Sequence, residues 1–202
     1  MKKQLFLWVL TLCIFIFSGC YSSSPKVKVG EPIQLSQVPV AGTNGAADRV
    51  VYKTFEELQN SLHEDRSAVI RGKKTGQSIP VEVYDEDGYL INAYCETLLE
   101  VSQVYYGDLQ ENTVIALYEP VHLAKEGDRA VLYHSEGAPP IGEDEYLFFL
   151  NHPQKKGESG YFLCGDSYHC LVGDYEALKE KLEDATAEER FAYDALEYYL
   201  SH

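Results

Sequence analysis

The chain is 202 residues long and strongly acidic, with 32 Asp and Glu against 17 Lys and Arg and a formal net charge of -15 at pH 7. Because a protein of this charge repels phosphate backbones, we expect no nucleic-acid partner. The length is sufficient for one domain with a real hydrophobic core.

The first twenty residues have the pattern of a bacterial lipoprotein signal. Lys2 and Lys3 precede the apolar run Leu5–Phe17, which is too short to span a bilayer but typical of a signal peptide. The run ends in "FSGC", which resembles the lipobox of bacterial lipoproteins and closes on Cys20. The resemblance implies a signal peptide at 1–19, diacylglycerol on Cys20 and a lipid-anchored protein on the extracytoplasmic face of the cell membrane. An ordinary secretory signal, with the cysteine as a bystander, is the alternative.

Composition divides the rest of the chain into three parts. Residues 20–48 are rich in Ser, Pro, Gly and Ala and predict a flexible tether, in which the alternation of Lys26–Val40 is compatible with an added edge strand. Residues 49–173 carry mostly strand patterns after one short helix, and residues 174–202 have helical spacing.

The first predicted element after the tether is a short amphipathic helix at 54–64. Thr54 and Glu57 form a capping box, and Phe55, Leu58 and Leu62 share one helical face. Strand patterns follow, with an Asp-Gly turn at 85–88 that predicts a hairpin. The predicted strands are 68–72, 80–84, 89–94, 97–106, 114–118, 129–133, 143–150, 160–164 and 170–172.

The hydrophobic period changes from two to about 3.6 near the C-terminus. Tyr175, Leu178 and Leu182 follow a possible N-cap at Asp174, and a second capping box begins at Thr186. These patterns predict a helical hairpin over 174–202 that packs on the strands. The fold class is therefore α+β and mainly β, with a small antiparallel barrel of about six or seven strands as the natural way to remove sheet edges.

The strand series resembles a known pattern. "AVIRGKKTG", "TLLEVSQVYYGDL", "NTVIALYEP" and "IGEDEYLFFL" are similar to segments of small extracytoplasmic lipoproteins of Gram-positive bacteria and of the OB-like barrel of netrin-like domains. The resemblance covers roughly residues 50–172. It implies an OB-like barrel and supplies no catalytic residue.

The segment "YFLCGDSYHC" at 161–170 has the highest density of reactive side chains. Cys164, Asp166, His169 and Cys170 are candidate zinc ligands, although their spacing is not that of common zinc sites. A disulfide between Cys164 and Cys170 is the preferred interpretation, because both cysteines lie at the ends of predicted strands that could pair across the loop. A pairing that uses Cys95 stays open.

These patterns lead to one functional hypothesis and one alternative. The hypothesis is a non-enzymatic, membrane-anchored surface lipoprotein that binds a protein, a peptide or a cell-wall component and needs no cofactor. The alternative is a metal-dependent or hydrolytic cell-envelope enzyme centred on the 164–170 loop.

Overall fold

The structure is a computed structural model that describes residues 26–43, 51–63, 66–134, 140–152, 160–165 and 169–201. These ranges contain ten strands and three α-helices, which confirms a mainly β protein of the α+β class. The strands are β1 (Lys26–Val29), β2 (Val40–Thr43), β3 (Ser67–Tyr84), β4 (Leu90–Tyr106), β5 (Val114–Glu119), β6 (Val121–Glu126), β7 (Arg129–His134), β8 (Glu145–Asn151), β9 (Tyr161–Leu163) and β10 (His169–Leu171). The helices are α1 (Phe55–Ser61), α2 (Tyr175–Glu180) and α3 (Ala187–Leu200).

Most strands belong to one sheet. Its order is β1-β3-β4-β5-β9-β8-β10, and all of its pairs are antiparallel except β5 with β9. β8 also pairs with β3 along its whole length, so the sheet curls back on itself. β9, however, joins β5 through two residue pairs and β8 through two, which is too little to complete a closed barrel. A second, three-stranded sheet has the order β2-β7-β6.

The long hairpin of β3 and β4 is the central element of the large sheet. Its turn is the predicted one: Gly88 has φ 88°, and the Tyr89 amide donates to Asp85 Oδ1 at 2.8 Å. Farther along, the pairing register shifts between Lys74 and Ser78, with Gly76 at φ 135° inside the bulge. Such a φ favours glycine, so Gly76 allows the chain to form the bulge at this position.

The bulge decides which way two polar residues face. Lys74 is paired with Leu99, and Ser78 is paired with Thr97, both of which belong to the buried face of β4. Directly paired residues of an antiparallel ladder lie on the same side of the sheet. Lys74 and Ser78 therefore both face the interior.

The two sides of the curled sheet bury different sets of residues. The inner side is filled by aliphatic side chains and one phenylalanine, and the outer side of β3 and β8 is covered by α1 and α3. The inner cluster contains Ala68, Ile70, Leu99, Val101, Ile115, Leu117, Ile141, Phe148, Leu150 and Leu163. The helix-covered cluster contains Phe55, Leu58, Val69, Leu147, Phe149, Cys164, Cys170, Ala195, Leu196 and Tyr199.

The helices begin where the capping patterns place them. Thr54 Oγ1 accepts the Glu57 amide at 3.2 Å, and α1 ends at Ser61, three residues before the predicted end. At α3, Thr186 and Glu189 form the predicted capping box. Both N-termini are therefore stabilised by residues that are near neighbours in the sequence.

The predicted tether at 20–48 is structured in its described part. Residues 26–43 contain β1, which is an edge strand of the large sheet, together with β2 and a 3-10 turn at Leu35–Gln37. Two other features differ from the sequence predictions. β6 was not predicted, because Val121–Glu126 follows a proline and lacks clean alternation. The expected closed barrel is instead a curled sheet with a weak seam at β9. In the described part of the chain, no helix is both long enough and apolar enough to cross a membrane.

Candidate functional site: a buried polar cluster on the inner face

The residues singled out by sequence are only partly described. Cys20 and Asp166 lie outside the described residues, so lipidation stays a prediction and the four-residue metal set cannot be assembled. Cys164, Cys170 and Cys95 are buried free thiols. The His169 ring contacts the rings of Tyr146 and Phe148 at centroid distances of 5.2 and 6.2 Å.

The predicted hairpin across the 164–170 loop is wrong. β9 and β10 do not pair with each other but with β8, where Leu163 is paired with Leu150 and Cys170 with Leu147. Because β3 occupies one edge of β8 along its whole length, β9 and β10 share the other edge, one behind the other. Both thiols are free in the structure. A disulfide between Cys164 and Cys170 therefore remains a prediction from the sequence.

No metal site is formed by the described residues, which contain no group of three or more His, Cys, Asp or Glu side chains able to hold an ion. Burial raises the pKa of the Cys164 thiol and of the Cys170 thiol to about 12. Both cysteines belong to the helix-covered hydrophobic cluster. A neutral thiol in apolar surroundings is a poor metal ligand and a poor nucleophile.

The strongest concentration of buried polar groups lies elsewhere, around an ion pair between β3 and β5. Lys74 Nζ is 2.8 Å from Glu119 Oε1, and the two side chains are only 5% and 1% exposed. Burying two charges costs several kcal/mol per ion, roughly, before their attraction is counted. Such a pair therefore needs excellent geometry and further hydrogen bonds.

Glu119 has those further bonds. Thr97 Oγ1 donates to Glu119 Oε1 at 2.5 Å, and the Ile141 amide donates to Oε2 at 3.0 Å. Ser78 Oγ and Thr97 Oγ1 are 2.6 Å apart, so the hydroxyls continue the chain of hydrogen bonds away from the carboxylate. We call Lys74, Ser78, Cys95, Thr97 and Glu119 the Lys74 cluster.

Lys74 is less completely satisfied than Glu119. An ammonium group has three N–H donors. Among the described residues, Glu119 is the single acceptor recorded for Lys74 Nζ. Since the side chain is almost fully buried, the remaining donors face the interior rather than bulk water. Lys74 therefore offers a buried ammonium whose N–H donors outnumber the one acceptor that Glu119 supplies.

Cys95 borders the ion pair. It is paired with Glu119 in the β4–β5 ladder and is completely buried. Burial, helped by the nearby Glu119 carboxylate and opposed by Lys74, raises the pKa of the Cys95 thiol to about 12. Cys95 packs with Leu35 of the 3-10 turn and with side chains of the second sheet, which together cover this end of the inner face.

Sequence reasoning missed the Lys74 cluster. Lys73 and Lys74 are adjacent, and a lysine pair before a glycine-containing turn is typical of an exposed loop. A signal for Glu119 was available, because Ile115, Leu117 and Glu119 alternate onto one face of β5 and the first two are apolar. A carboxylate at the third such position indicates a buried charge that needs a partner.

Comparison with known proteins gives one enzyme. No protein-family model and no solved structure matches the chain. The NADPH dehydrogenase of Bacillus cytotoxicus is 27% identical over 135 residues, which cover 63% of this chain and 37% of that enzyme. The chain thus spans little more than a third of the length of this relative. The similarity does not establish a family.

The similarity nevertheless corrects the functional hypothesis. The prediction of a non-enzymatic surface module is wrong, because the matched relative is an enzyme. That prediction rested on patterns of anchoring and strand order, which carry no information about reacting groups.

The described residues do not fit NADPH as a resident group. The chain has 15 glycines, but no two of them are separated by a single residue, so the G-x-G-x-x-G phosphate loop is absent. The buried cation at Lys74 is already neutralised by Glu119 and is not free to hold a phosphate. We therefore derive no chemical step through a dinucleotide.

Proposed function

We propose that the chain is an enzyme whose acid–base centre is the Lys74 cluster. The observation that carries the proposal is the almost fully buried Lys74 ammonium with donors left over after its bond to Glu119. Buried polar groups that reduce stability and retain spare hydrogen-bonding capacity are characteristic of functional sites. The enzymatic character of the matched relative supports the same conclusion.

The charge balance of the cluster selects the substrate class. Lys74 and Glu119 cancel each other, so an anionic ligand would add an uncompensated charge to a buried site. A neutral group with an acceptor oxygen adds no charge and matches the spare N–H donors. The cluster therefore suits a small uncharged substrate with a carbonyl oxygen.

Each residue then has a stated role. Lys74 donates to the carbonyl oxygen and stabilises negative charge that develops there. Glu119 holds the Lys74 side chain in position through their ion pair. Thr97 and Ser78 extend the hydrogen-bond chain by two hydroxyls and can pass a proton along it.

Access to the cluster requires motion of its cover. Ile33 bridges Ser78 through two backbone hydrogen bonds of 2.8 and 2.9 Å, and Leu35 packs against Cys95. The strap formed by residues 33–38 thus lies over the cluster. We propose that this strap opens to admit substrate.

The proposal is tested by a matched pair of variants. Lys74→Met removes the buried ammonium, whereas Lys73→Met removes its half-exposed neighbour, whose pair with Glu100 is 3.9 Å long. Small aldehydes, ketones and quinones are offered to the full chain with and without NADPH, and the loss of each compound is followed. We expect turnover to fall by about 100-fold or more in Lys74→Met and to stay within about twofold of the wild type in Lys73→Met.

Two results would contradict the proposal. One is equal turnover by Lys74→Met and the wild type, which would place the chemistry elsewhere. The other is a wild-type chain that transforms none of these compounds in either condition. Circular dichroism of each variant separates loss of activity from loss of folding.

We also propose an OB-like arrangement for the curled sheet. It is supported by the pairing order β3-β4-β5-β9-β8, by the return of β8 to β3, and by the parallel pairing of β5 with β9. OB-folds are five-stranded, partly open Greek-key barrels, which agrees with a weak seam at β9.

Lipidation at Cys20 remains a proposal from sequence. It is supported by the apolar run Leu5–Phe17 and the "FSGC" motif that follows it. Cys20→Ser should abolish incorporation of labelled fatty acid, while Cys95→Ser should leave incorporation unchanged. Labelling of Cys20→Ser at the wild-type level would refute the lipobox.

A further inference from the structure

The two cysteines at the ends of β9 and β10 occupy the same edge of β8. The Cys164 amide donates to the Phe149 carbonyl at 2.7 Å, and Cys170 is paired with Leu147. The two cysteines therefore stand opposite strand positions that are two residues apart. At about 3.3 Å per residue, their Cα atoms are separated by roughly 6.6 Å along the edge.

Their side chains also lie on the same side of the sheet. Leu147 and Phe149 both belong to the helix-covered cluster, and so do Cys164 and Cys170. Nothing from β3 or β5 separates the two thiols, because β9 and β10 share one edge. The geometry brings two reduced sulfur atoms into one buried pocket of the core.

We propose that Cys164 and Cys170 form a reversible dithiol–disulfide couple. Disulfides accept Cα separations of about 4.4–6.8 Å and prefer about 5.5–6 Å. The separation estimated from the register lies at the upper end of that range. A bond formed there draws β9 and β10 together and stores strain, and strained disulfides are the more easily reduced ones.

The chemistry balances with a disulfide oxidant such as oxidised glutathione. The thiolate of one cysteine attacks a glutathione sulfur, forms a mixed disulfide and releases one reduced glutathione. The second cysteine then attacks the first sulfur, forms the Cys164–Cys170 bond and releases a second reduced glutathione. Two electrons and two protons thus pass from the protein to the oxidant.

The third cysteine provides an internal control. Cys95 lies in a different buried cluster, with Leu35, Val121 and Leu132. It lies on the inner face of β4, opposite Glu119 at the end of β5, and away from the helix-covered cluster of the other two. Cys95 therefore has no partner thiol in its own cluster and should stay reduced under the same conditions.

Burial of the two thiols makes their oxidation and reduction slow. With a pKa of about 12, each of the two thiols is almost entirely protonated at neutral pH, so oxidation has to await local opening of the β9–β10 edge. The equilibrium must consequently be approached from both the reduced and the oxidised protein.

The test equilibrates the full chain in glutathione buffers of increasing oxidised-to-reduced ratio. The reaction is quenched with acid, free thiols are alkylated under denaturing conditions, and peptides are mapped by mass spectrometry. We expect the wild type to lose two hydrogens, with one bond that joins the Cys164 and Cys170 peptides and that excess reduced glutathione breaks without denaturant. Cys95→Ala should behave in the same way, whereas Cys164→Ala and Cys170→Ala should form no intramolecular bond.

Three outcomes would overturn the inference. The first is free thiols at both Cys164 and Cys170 in the wild type at every ratio, from either starting state. The second is a bond that includes Cys95. The third is a Cys164–Cys170 bond that glutathione reduces only after the protein is unfolded, which would make it a permanent staple. Far-UV circular dichroism of the alanine variants verifies that each one folds.

Discussion

The inner end of the curled sheet and its helix-covered outer face bury side chains of opposite chemical character. At the inner end, the Lys74 cluster places a lysine, a glutamate and two hydroxyls out of water. On the outer face, α1 and α3 press aromatic and aliphatic side chains onto β3 and β8, with the Phe55 ring 6.0 Å from that of Tyr199 and 6.2 Å from that of Phe149. Burial of charges at the inner end costs desolvation free energy, whereas apolar packing on the outer face stabilises the fold.

The difference teaches where function is to be sought. Apolar packing needs only complementary shape, and many sequences can provide it. A buried ion pair is often no more stabilising than a hydrophobic replacement of the same volume. The Lys74 cluster is therefore poorly explained by stability alone. Variants in the two regions test this difference by their effects on the free energy of unfolding.

The largest effect is expected from Glu119→Ala. The substitution leaves the Lys74 ammonium buried without its counter-charge, which typically costs about 3–5 kcal/mol. Glu100→Ala is the matched control, because Glu100 pairs with the exposed Lys73 and should change stability by roughly 0–1 kcal/mol. Urea unfolding of both variants measures the difference.

The double variant Lys74→Met, Glu119→Leu sharpens the same comparison. It replaces both charges by apolar groups, so its free energy of unfolding should lie above that of Glu119→Ala and below that of the wild type by about 1–3 kcal/mol, because the Ile141 amide loses its acceptor. A double variant as unstable as Glu119→Ala would show that the ion pair holds the inner end together. The contrast between the two regions would then be wrong.

A somewhat smaller effect is expected on the outer face from Leu196→Ala. Leu196 is completely buried between α3 and the sheet, and its truncation leaves a cavity that typically costs about 2–5 kcal/mol. Asp194→Ala, on the exposed side of the same helix, should stay within about 0.5 kcal/mol. Thermal and urea unfolding report both changes, and equal losses in the two variants would contradict the packing described here.

Sequence patterns were sufficient for the outer face. The capping boxes at Thr54 and Thr186 and the helical spacing of Phe55, Leu58 and Leu196 depend on near neighbours along the chain. The burial of β8 follows from a local signal as well, the continuous apolar run Leu147–Leu150. Local signals of this kind can be read without knowledge of the partner strand.

The inner end depends on long-range pairing, which a single sequence does not reveal. Lys74 is buried because the bulge at 75–77 sets its register against β4 and brings it to Glu119, 45 positions farther along the chain. The 164–170 segment was misassigned for a related reason. Two strands joined by a short link predict a hairpin, but β9 and β10 each pair with β8 instead of with each other.

The smallest effect is a pH dependence at the edge of β8, where a half-exposed ion pair contrasts with the buried one. Burial alone would raise the pKa of Glu145, but hydrogen bonds from Arg71 and Ser102 outweigh it and hold that pKa below the usual 4.5. A carboxyl whose pKa is depressed on folding adds stability above its unfolded pKa and loses it as pH falls through the folded value. Glu145→Gln should therefore be less stable than the wild type at neutral pH, and the difference should shrink below pH 4.5. Urea unfolding across that range measures it, and a difference that stays constant with pH would show that Glu145 does not contribute through its charge.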